Sequence, residues 1–528
     1  MALMGLLLLT VAGAAVAERF ILGITPAATQ AALDTAVKAL GGKVEFFHSD
    51  AGIAVVAVPE GGSAAAGLAA VSGVTAVAAN MQVQLPRVDA SDKSTSPEQA
   101  STTAAVSSAA GPSFLEPNLK ATNLQYLSQP LTSEPKDMLY PLQWAPRLVR
   151  PEGAWAAGVT GKCVRVAVVD TGMWWDHPDL VGRVDVDAAR SFIEGEPPYY
   201  DNDPVGGYWH ASHVAGIVAA SANNNDFGVV GIAPEATIIP VKVLNGGNGG
   251  DAAGVIMGIL YAASPLGPDG AGADIINLSL GTAPFYRSQV KADNAFLGMY
   301  TKALNYAAAQ GVVVIAAAGN DGVDLDHDPR YGKLVTAPCT LGNTVCVSAS
   351  GPTDICKGCS YDPQGVTLVT CPLPQPWNLA QQPALYSNYG RSAVWVAGPG
   401  GDIRSVLAGG LPPGAPPCYV HDWVLGVGAP TPAGRSRRFF WAAGTSMAAP
   451  AVSGAAALVI HDAALRKGVD LCAPRGAGKR NPTNPGQVKT ALARGAVLPN
   501  GAADREAYGN GIVDVSRTLG YPQPAWAA

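Results

Sequence analysis

Hydrophobic and polar positions follow two different patterns along this 528-residue chain, and the first pattern occupies the region before residue 87. There, short strand-like runs alternate with two alanine-rich helical stretches. The predicted strands cover residues 19–24, 43–48, 52–59 and 75–85, and the predicted helices cover residues 27–40 and 62–71. The order βαββαβ predicts a small ferredoxin-like α+β domain over residues 18–86.

The second pattern begins near Trp144, where β-branched runs ending in Gly or Asp alternate with alanine-rich amphipathic helices. The predicted strands cover residues 164–170, 237–244, 274–280, 312–317, 344–350 and 393–397, and the predicted helices cover residues 212–222, 251–263, 294–310, 446–462 and 485–494. These strands are continuously apolar, as expected when helices cover both faces of a sheet. We therefore predict an α/β domain over residues 139–528, with its chemistry at the carboxyl ends of parallel strands.

Two further segments are predicted to lie outside these domains. Residues 87–138 are rich in Ser, Thr, Ala and Pro without periodicity, which indicates an exposed and easily cut linker. Residues 1–17 form an apolar run that ends in Ala15-Val16-Ala17, which predicts a secretory signal peptide cleaved after Ala17. The run carries no Lys or Arg at its start, so an uncleaved membrane anchor is the alternative. A later apolar run at 447–460 is predicted to be a buried helix.

The composition excludes two classes of protein. Charged residues make up 14% of the chain and hydrophobic residues 48%, which excludes a disordered chain. The net charge is −6 and no basic block is present, so the chain lacks the charge pattern of a nucleic-acid-binding protein. We therefore expect a folded, exported protein.

The eight cysteines are predicted to form disulfides, because export leads to an oxidising environment. Cys339 and Cys346 bracket a short Gly-Asn turn and are the one pair that the sequence suggests. Cys356 and Cys359 form a CxxC, for which a zinc or redox role is the alternative to a structural disulfide. No second CxxC or His pair follows at metal spacing, which favours the disulfide.

Three residues at predicted element ends together supply a hydrolytic site. Asp170 ends the strand VRVAVVD, His210 precedes a helix, and Ser446 opens a helix. A serine hydroxyl becomes nucleophilic when an imidazole takes its proton, and a carboxylate fixes the tautomer of that imidazole. Asn320 ends another strand, and its amide can donate to a developing oxyanion together with the Ser446 N–H. These residues predict hydrolysis of an amide bond.

The motifs around these residues resemble the subtilisin-like serine protease family. DTG, HASHVAG, AAAGN and GTSMAAP occur in the chain order Asp, His, Ser of that family, and the similarity covers about residues 140–518. The resemblance implies that Asp170 orients the base, His210 is the general base and acid, Ser446 is the acylated nucleophile, and Asn320 is the oxyanion donor. His213 would then be structural.

The resemblance also extends to the small domain, and it implies that the protein is made as a zymogen. Residues 18–86 are similar to the propeptide of these enzymes, a folding chaperone and intramolecular inhibitor that is removed by self-cleavage. We expect the mature chain to begin between residues 87 and 138 and to be a secreted monomer. Its expected partners are protein or peptide substrates and its own propeptide.

The residues expected to bind substrate follow from the same resemblance. Two segments would clamp the substrate backbone as an added strand, and a third would line one wall of the main specificity pocket. These residues are Leu244, Gly246 and Gly247, then Ser279, Leu280 and Gly281, and finally Ala317, Ala318 and Gly319. The apolar wall suits a large hydrophobic residue before the scissile bond, whereas Asp321 would admit Lys or Arg instead.

No cofactor is expected for the chemistry, and calcium is expected only in a structural role. Family members often bind calcium, and the acidic and Asn-bearing loops at 201–203 and 223–226 offer oxygen ligands, although solvated turns explain them equally well. Ala211 and Ser212 depart from the Gly and Thr usual in the family, and we expect activity to survive the extra methyl group. A catalytically silent, peptide-binding subtilisin fold is the alternative function. A lipase-type hydrolase is excluded, because the GxSxG motif and the order Ser, acid, His are both missing.

Overall fold

The computed structural model describes residues 17–60, 63–85, 131, 134–199, 209–223, 228–286, 291–330, 332–352, 360–361, 368–370, 381–404, 422–430, 436–473, 482–499 and 504–525. The predicted signal peptide, apart from Ala17, and almost all of the predicted linker lie outside these residues. The chain divides into two compact units, one formed mainly by the residues before Met81 and the other mainly by the residues from Met81 onward.

The first unit contains the predicted α+β arrangement. Four antiparallel strands form its sheet in the order Lys43–His48, Ile53–Pro59, Ala17–Ile24 and Val74–Ala79. Its helices are Gln30–Ala39 and Ala64–Ala69, so the chain order is βαββαβ. Buried apolar side chains of the strands and helices form one core, which includes Phe20, Leu22, Leu33, Val37 and Val56.

The last predicted strand of this region is divided in two. The sheet strand ends at Ala79, and a separate strand, Gln82–Gln84, pairs with residues of the second unit. The apolar pattern over residues 75–85 is continuous, so it predicts a single strand. It does not show that the two halves of this segment pair with different strands. The two halves belong to different sheets.

The second unit is built on a sheet whose strands are parallel except at one edge. From edge to edge the order is Gln381–Pro383, Thr344–Pro352, Val313–Ala317, Ile275–Leu278, Arg165–Asp170, Thr237–Lys242 and Arg190–Ser191. Val396–Pro399 also pairs with Thr344–Pro352 in parallel, and Gln381–Pro383 is the antiparallel edge strand. The central strands are buried along almost their whole length, which agrees with the predicted two-sided cover by helices.

Helices cover the sheet close to the predicted positions. Among the described residues after Met81, the helices of five residues or more are Trp144–Val149, Glu152–Ala156, Trp209–Ala219, Ala252–Ala263, Lys291–Ala309, Thr445–Lys467, Pro485–Gly495 and Val515–Leu519. Thr445–Lys467 is the one helix in the described part of the chain that is long and apolar enough to cross a membrane. It is a core helix instead, because 89% of its most apolar window is buried.

Two disulfides lie in the second unit. Cys339 is bonded to Cys346, the pair predicted from the sequence, and Cys163 is bonded to Cys472. The predicted CxxC at Cys356 and Cys359, together with Cys371 and Cys418, lies outside the described residues.

Glu152, near the start of the second unit, is a carboxylic acid buried among apolar side chains. Tyr140 Oη donates to Glu152 Oε1 at 2.9 Å, and Glu152 Oε2 has no hydrogen-bond partner within the described structure. Burial raises the pKa of Glu152 to about 7, although the hydrogen bond from Tyr140 acts in the opposite direction. The core therefore favours the protonated form of this carboxyl group.

We expect Glu152→Gln to make the protein more tolerant of alkaline pH. The folded pKa of Glu152 lies above the unfolded value, so its favourable contribution is complete below about pH 4.5 and is lost as the pH rises through about 7. Above that range the glutamine variant should have the larger free energy of unfolding, by up to about 3 kcal/mol. Urea unfolding from pH 4 to 9 measures this difference. The exposed Glu194→Gln is the control, and an equal pH profile for it and for Glu152→Gln would contradict the assignment.

Candidate active site

The acid and the imidazole of the predicted site are in direct contact. Asp170 ends the strand Arg165–Asp170, and His210 is the second residue of the helix Trp209–Ala219. His210 Nδ1 lies 2.8 Å from Asp170 Oδ1 and 3.0 Å from Oδ2, and both side chains are buried. Contact with a carboxylate favours the proton on Nδ1, which leaves Nε2 as the proton acceptor of the ring.

Neighbouring backbone groups hold Asp170 in this position. Its Oδ1 accepts from the Thr171 N–H at 2.7 Å, and its carbonyl oxygen accepts from the N–H groups of Val243 and Leu244 at 2.8 and 3.2 Å. The Thr171 hydroxyl accepts from the Ala211 N–H at 3.3 Å, which links the loop after Asp170 to the helix of His210. The methyl group of Ala211 is fully buried beside this link, so the fold accommodates it.

Ser446 is the second residue of the helix Thr445–Lys467, and reciprocal hydrogen bonds join it to a strand end. Ser446 Oγ donates to the Ser279 carbonyl at 3.1 Å, and Ser279 Oγ donates to the Ser446 carbonyl at 2.8 Å. Asn277 donates to Ser279 Oγ at 3.0 Å and accepts from Ser453 Oγ, further along the helix, at 2.9 Å. These bonds fix the beginning of the helix against the sheet.

Asn320 follows the strand Val313–Ala317 and caps the same helix from outside. Its Oδ1 accepts from the Thr445 N–H at 2.9 Å and from the Thr445 hydroxyl at 2.8 Å. A Cβ atom at Gly444 would lie 3.3 Å from Asn320 Nδ2 and 3.6 Å from Ser446 N. The two nitrogens therefore border the same small space beside Ser446, where N–H donors can stabilise an oxyanion.

A second asparagine, Asn388, holds the loop of Asn320 in place and was not among the predicted residues. Asn388 Nδ2 donates to the Ala318 carbonyl and to Asp321 Oδ2, both at 2.9 Å, and its Oδ1 accepts from the Asp321 N–H at 3.0 Å. A Cβ atom at Gly319 would lie 2.4 Å from Asn388 Nδ2, and Gly319 has a φ of +100°, so only glycine suits that position. Asn388 is distant in the sequence, and no local signal connects it to the site.

The residues predicted to line the specificity pocket lie in this loop and in the strand before it. Ala317 and Ala318 are buried, and the Gly319 N–H donates to Thr445 Oγ1 at 3.2 Å. The Asp321 carboxylate accepts its hydrogen bond from Asn388. The structure therefore gives Asp321 a role in holding its own loop.

An extended segment lies along the predicted substrate-binding edge. Gln82–Gln84 pairs antiparallel with Gly249–Asp251, and the Leu85 N–H donates to the Asn248 carbonyl at 3.3 Å. On its other side, Gln84 bridges to Gly281 in antiparallel register. An extended chain thus fits between these two segments as an added strand.

In the first segment, Gln82–Gln84 pairs with Gly249–Asp251, after the residues predicted to bind substrate. Leu244 is buried and bridges to Gly250 across a hairpin, so Gly246 and Gly247 lie at the turn and the returning arm meets the added strand. In the second segment, Gly281 pairs with the added strand and Ser279 contacts Ser446. The sequence Asn-Gly-Gly-Asn at residues 245–248 is a turn signal that would have predicted the hairpin.

No group of three or more His, Cys, Asp or Glu side chains in the described part of the chain is placed to hold a metal ion. The loops at 201–203 and 223–226, which the sequence offers as oxygen ligands, lie outside the described residues except for Asn223.

Comparison with known proteins identifies the family. The sequence model of the subtilase family matches residues 161–511, which is more than half of the chain and includes Asp170, His210, Asn320 and Ser446. The chain belongs to the subtilase family. It is therefore a subtilisin-like serine peptidase.

Its relatives are similar over parts of their length. Thermitase from Thermoactinomyces vulgaris is 35% identical over 223 residues, covering 40% of this chain and 70% of thermitase. A thermophilic serine proteinase from Bacillus sp. (strain AK1) is 29% identical over 326 residues, covering 62% of this chain and 59% of that proteinase. Subtilisin Savinase from Lederbergia lenta is 34% identical over 201 residues, covering 38% of this chain and 64% of Savinase.

Solved structures show the same fold. The epidermin leader peptide processing serine protease from Staphylococcus aureus matches with a TM-score of 0.63 at 19% identity, covering 96% of this chain and 98% of that one. Fervidolysin from Fervidobacterium pennivorans matches with a TM-score of 0.60 at 20% identity, covering 97% and 62%. At such identities the likeness shows the fold alone.

In this subtilase a hairpin packs against the helix of His210. Its strands are Val424–Pro430 and Ser436–Ala442. The fully buried His213 has its Nε2 3.3 Å from the Phe440 carbonyl and its ring 4.7 Å from the Phe440 ring. Burial lowers the pKa of His213 to about 3, and the nearby His210 also lowers it. His213 is therefore a neutral packing residue, in agreement with the resemblance.

We expect Gly426→Ala, in the same hairpin, to destabilise the protein by about 1–3 kcal/mol. A Cβ atom at Gly426 would lie 2.7–2.9 Å from atoms of the buried His213 ring, so either the ring or the hairpin must move. Thermal unfolding measures the change. Gly298→Ala, in a helix with nothing within 4 Å of its Cβ, is the matched control and should not destabilise. Equal melting temperatures for wild type and Gly426→Ala would contradict this packing.

Proposed function

We propose that the protein is a secreted serine endopeptidase, made as a self-processing zymogen, in which Asp170, His210 and Ser446 form the catalytic triad. The observation that carries this proposal is the buried contact of 2.8 Å between His210 Nδ1 and Asp170 Oδ1. It is supported by the position of Ser446 at the beginning of a buried helix that packs against the helix of His210. The chain belongs to a family of serine peptidases, and this membership also supports the assignment of the three residues as a catalytic triad.

The proposed reaction begins with attack of Ser446 Oγ on the carbonyl carbon of the scissile peptide bond. His210 Nε2 takes the hydroxyl proton, and the Asp170 carboxylate stabilises the imidazolium that forms. When the tetrahedral intermediate collapses, His210 returns the proton to the leaving amine, and the acyl group stays on Ser446. A water molecule, activated by His210 in the same way, then releases the acyl group.

Asn320 would act on the transition state rather than on the bound substrate. Its Oδ1 is held by Thr445, and its Nδ2 borders the space next to Ser446 N. A negative charge develops on the carbonyl oxygen only as the tetrahedral species forms, so donors that are already fixed there lower the barrier. This role is supported by the hydrogen bonds from Thr445, which hold the Asn320 amide in place before substrate binds.

The proposed substrates are proteins and peptides bound as an added strand. Pairing of Gln82–Gln84 with Gly249–Asp251 supports this mode, and it also supports the inhibitor role of the residues before 87. Val83 and Leu85 of this segment are buried, whereas Gln82 and Gln84 are exposed. A segment that occupies the edge excludes other peptides from it until it is cut and leaves.

Secretion and calcium remain parts of this proposal. A relative named minor extracellular protease Epr, from Bacillus subtilis, is 34% identical over 208 residues, and the two disulfides also suit an exported protein. Calcium would have a structural role and no part in the reaction.

We expect Asn320→Ala to lower kcat by about 10²- to 10³-fold with little change in KM, because the lost donor acts on the transition state. Initial rates on a peptide substrate test this. Asn320→Asp keeps an oxygen that can accept from Thr445 but has no amide donor, so it should lose a similar factor. If the aspartate variant kept wild-type kcat, Asn320 would be a structural cap and not an oxyanion donor.

Self-processing predicts that the mature chain begins between residues 87 and 138. Gln84 pairs with Gly281 in antiparallel register, and the carbonyl of Ser279, two residues before Gly281, accepts from Ser446 Oγ, so the added strand runs toward Ser446. N-terminal sequencing of the wild-type product is expected to show a start within this interval, and Ser446→Ala should keep the uncut junction. Identical processing of both, with no hydrolysis of casein by either, would favour a silent peptide-binding fold.

A further inference from the structure

A buried lysine lies between the catalytic acid and the peptide-binding edge. Lys242 ends the strand next to Arg165–Asp170 and is opposite Asp170 in the parallel register. Its side chain is fully buried, and its ammonium group donates to the carbonyl oxygens of Thr171 and Leu244, the latter at 2.8 Å. One contact therefore reaches the loop after Asp170 and the other reaches the start of the edge hairpin.

The charge of this lysine is balanced by a glutamate from a separate loop. Glu196 Oε2 lies 2.9 Å from Lys242 Nζ, and the Glu196 side chain is 27% exposed. The same oxygen accepts from the Gly246 N–H at 3.1 Å, in the turn of the edge hairpin. A single carboxylate oxygen thus contacts both the buried ammonium group and the turn that carries the peptide-binding arm.

These contacts constrain the geometry more strongly than a surface ion pair would. Burial of an ammonium group is costly unless a counter-charge and hydrogen-bond acceptors surround it, so Lys242 and Glu196 favour one arrangement. That arrangement fixes Leu244 and Gly246, which lead into the hairpin. Lys242 itself contacts the Thr171 carbonyl, in the loop after Asp170, so loss of Glu196 leaves that contact in place.

We propose that Glu196 and Lys242 are positioning residues that set the peptide-binding edge at a fixed place relative to Asp170, and thereby determine how well extended peptides bind. We call this pair the clasp. The proposal rests on the proposed function, because it concerns the substrate edge of the same site. The clasp contacts the start and the turn of the hairpin at Leu244 and Gly246, and it acts on the arm at 249–251 through the hairpin.

Changes in the clasp should alter the binding of long substrates and leave the hydrolysis of short substrates unchanged. A peptide that pairs with the arm, as residues 82–85 do, depends on the placement of the hairpin. A single-residue ester reaches only Ser446, His210 and the adjacent pocket. Loss of Glu196 is therefore expected to raise KM for the long peptide while kcat for the ester stays unchanged.

The test compares Glu196→Ala, Glu196→Gln and wild type on two substrates. The first is a fluorogenic octapeptide with the sequence of residues 82–89, and the second is an N-acetyl amino acid ester. We expect Glu196→Ala to raise KM for the octapeptide about tenfold or more, since a hydrogen bond to a charged group is lost. Glu196→Gln, which keeps an acceptor for Gly246, should fall between Glu196→Ala and wild type and provides the test if the alanine variant does not fold.

Glu194→Gln is the matched control. Glu194 is an exposed carboxylate two residues away in the same loop, and its replacement should change neither substrate's kinetics. An equal loss on octapeptide and ester in the Glu196 variants, carried by kcat, would overturn the proposal in favour of general disruption. Unchanged KM in both Glu196 variants would also overturn it.

A second readout separates the clasp from the proposed function. If the wild-type protein hydrolyses neither substrate, the proposed function fails, and hydrogen exchange of the amides at 246 and 248–251 then tests the clasp alone. Glu196→Ala should speed exchange at these amides, whereas Glu194→Gln should leave it unchanged. Equal exchange in both variants would overturn the clasp.

Discussion

The hydrogen bonds from Thr445 to Asn320 Oδ1 join the end of a parallel strand to the beginning of the buried helix, and the geometry of the site depends on this joint. One end of the Asn320 amide satisfies a helix N–H that would otherwise lack a partner, so the other end is directed beside Ser446. Asn388 holds the loop from behind through Ala318 and Asp321. The proposed oxyanion donor is thus held by the same contacts that stabilise the fold.

Burial gives the Asp170–His210 contact its strength. Both side chains are nearly inaccessible to water, and the rings of Trp209 and Phe440 lie next to the imidazole and its helix. In such surroundings a hydrogen bond between a carboxylate and an imidazole is less weakened by solvent than at the surface. A buried charge is costly unless an opposite charge lies beside it, and Glu196 provides the opposite charge for Lys242.

Sequence patterns predicted those features of the fold that depend on residues close together in the chain. Continuous Val, Ile and Ala runs identified the central strands because the sheet is covered on both faces, and Asp170 and Asn320 could be placed at strand ends because such runs stop there. The division of residues 75–85 between two sheets was not predictable, since its apolar residues suit either partner. Asn388 and Glu196 were missed for a related reason. Their contacts join residues far apart in the chain, and an isolated polar residue gives no sign of its distant partner.

The disulfide between Cys163 and Cys472 joins residues 309 positions apart, and Asp170, His210, Asn320 and Ser446 all lie between them. A cut in any loop of this interval therefore leaves both pieces covalently attached to each other. Copies of a peptidase can cut one another's loops in this way. The nicked chain would remain one molecule until the disulfide is reduced, so damage to its loops would not by itself release a fragment carrying half of the site.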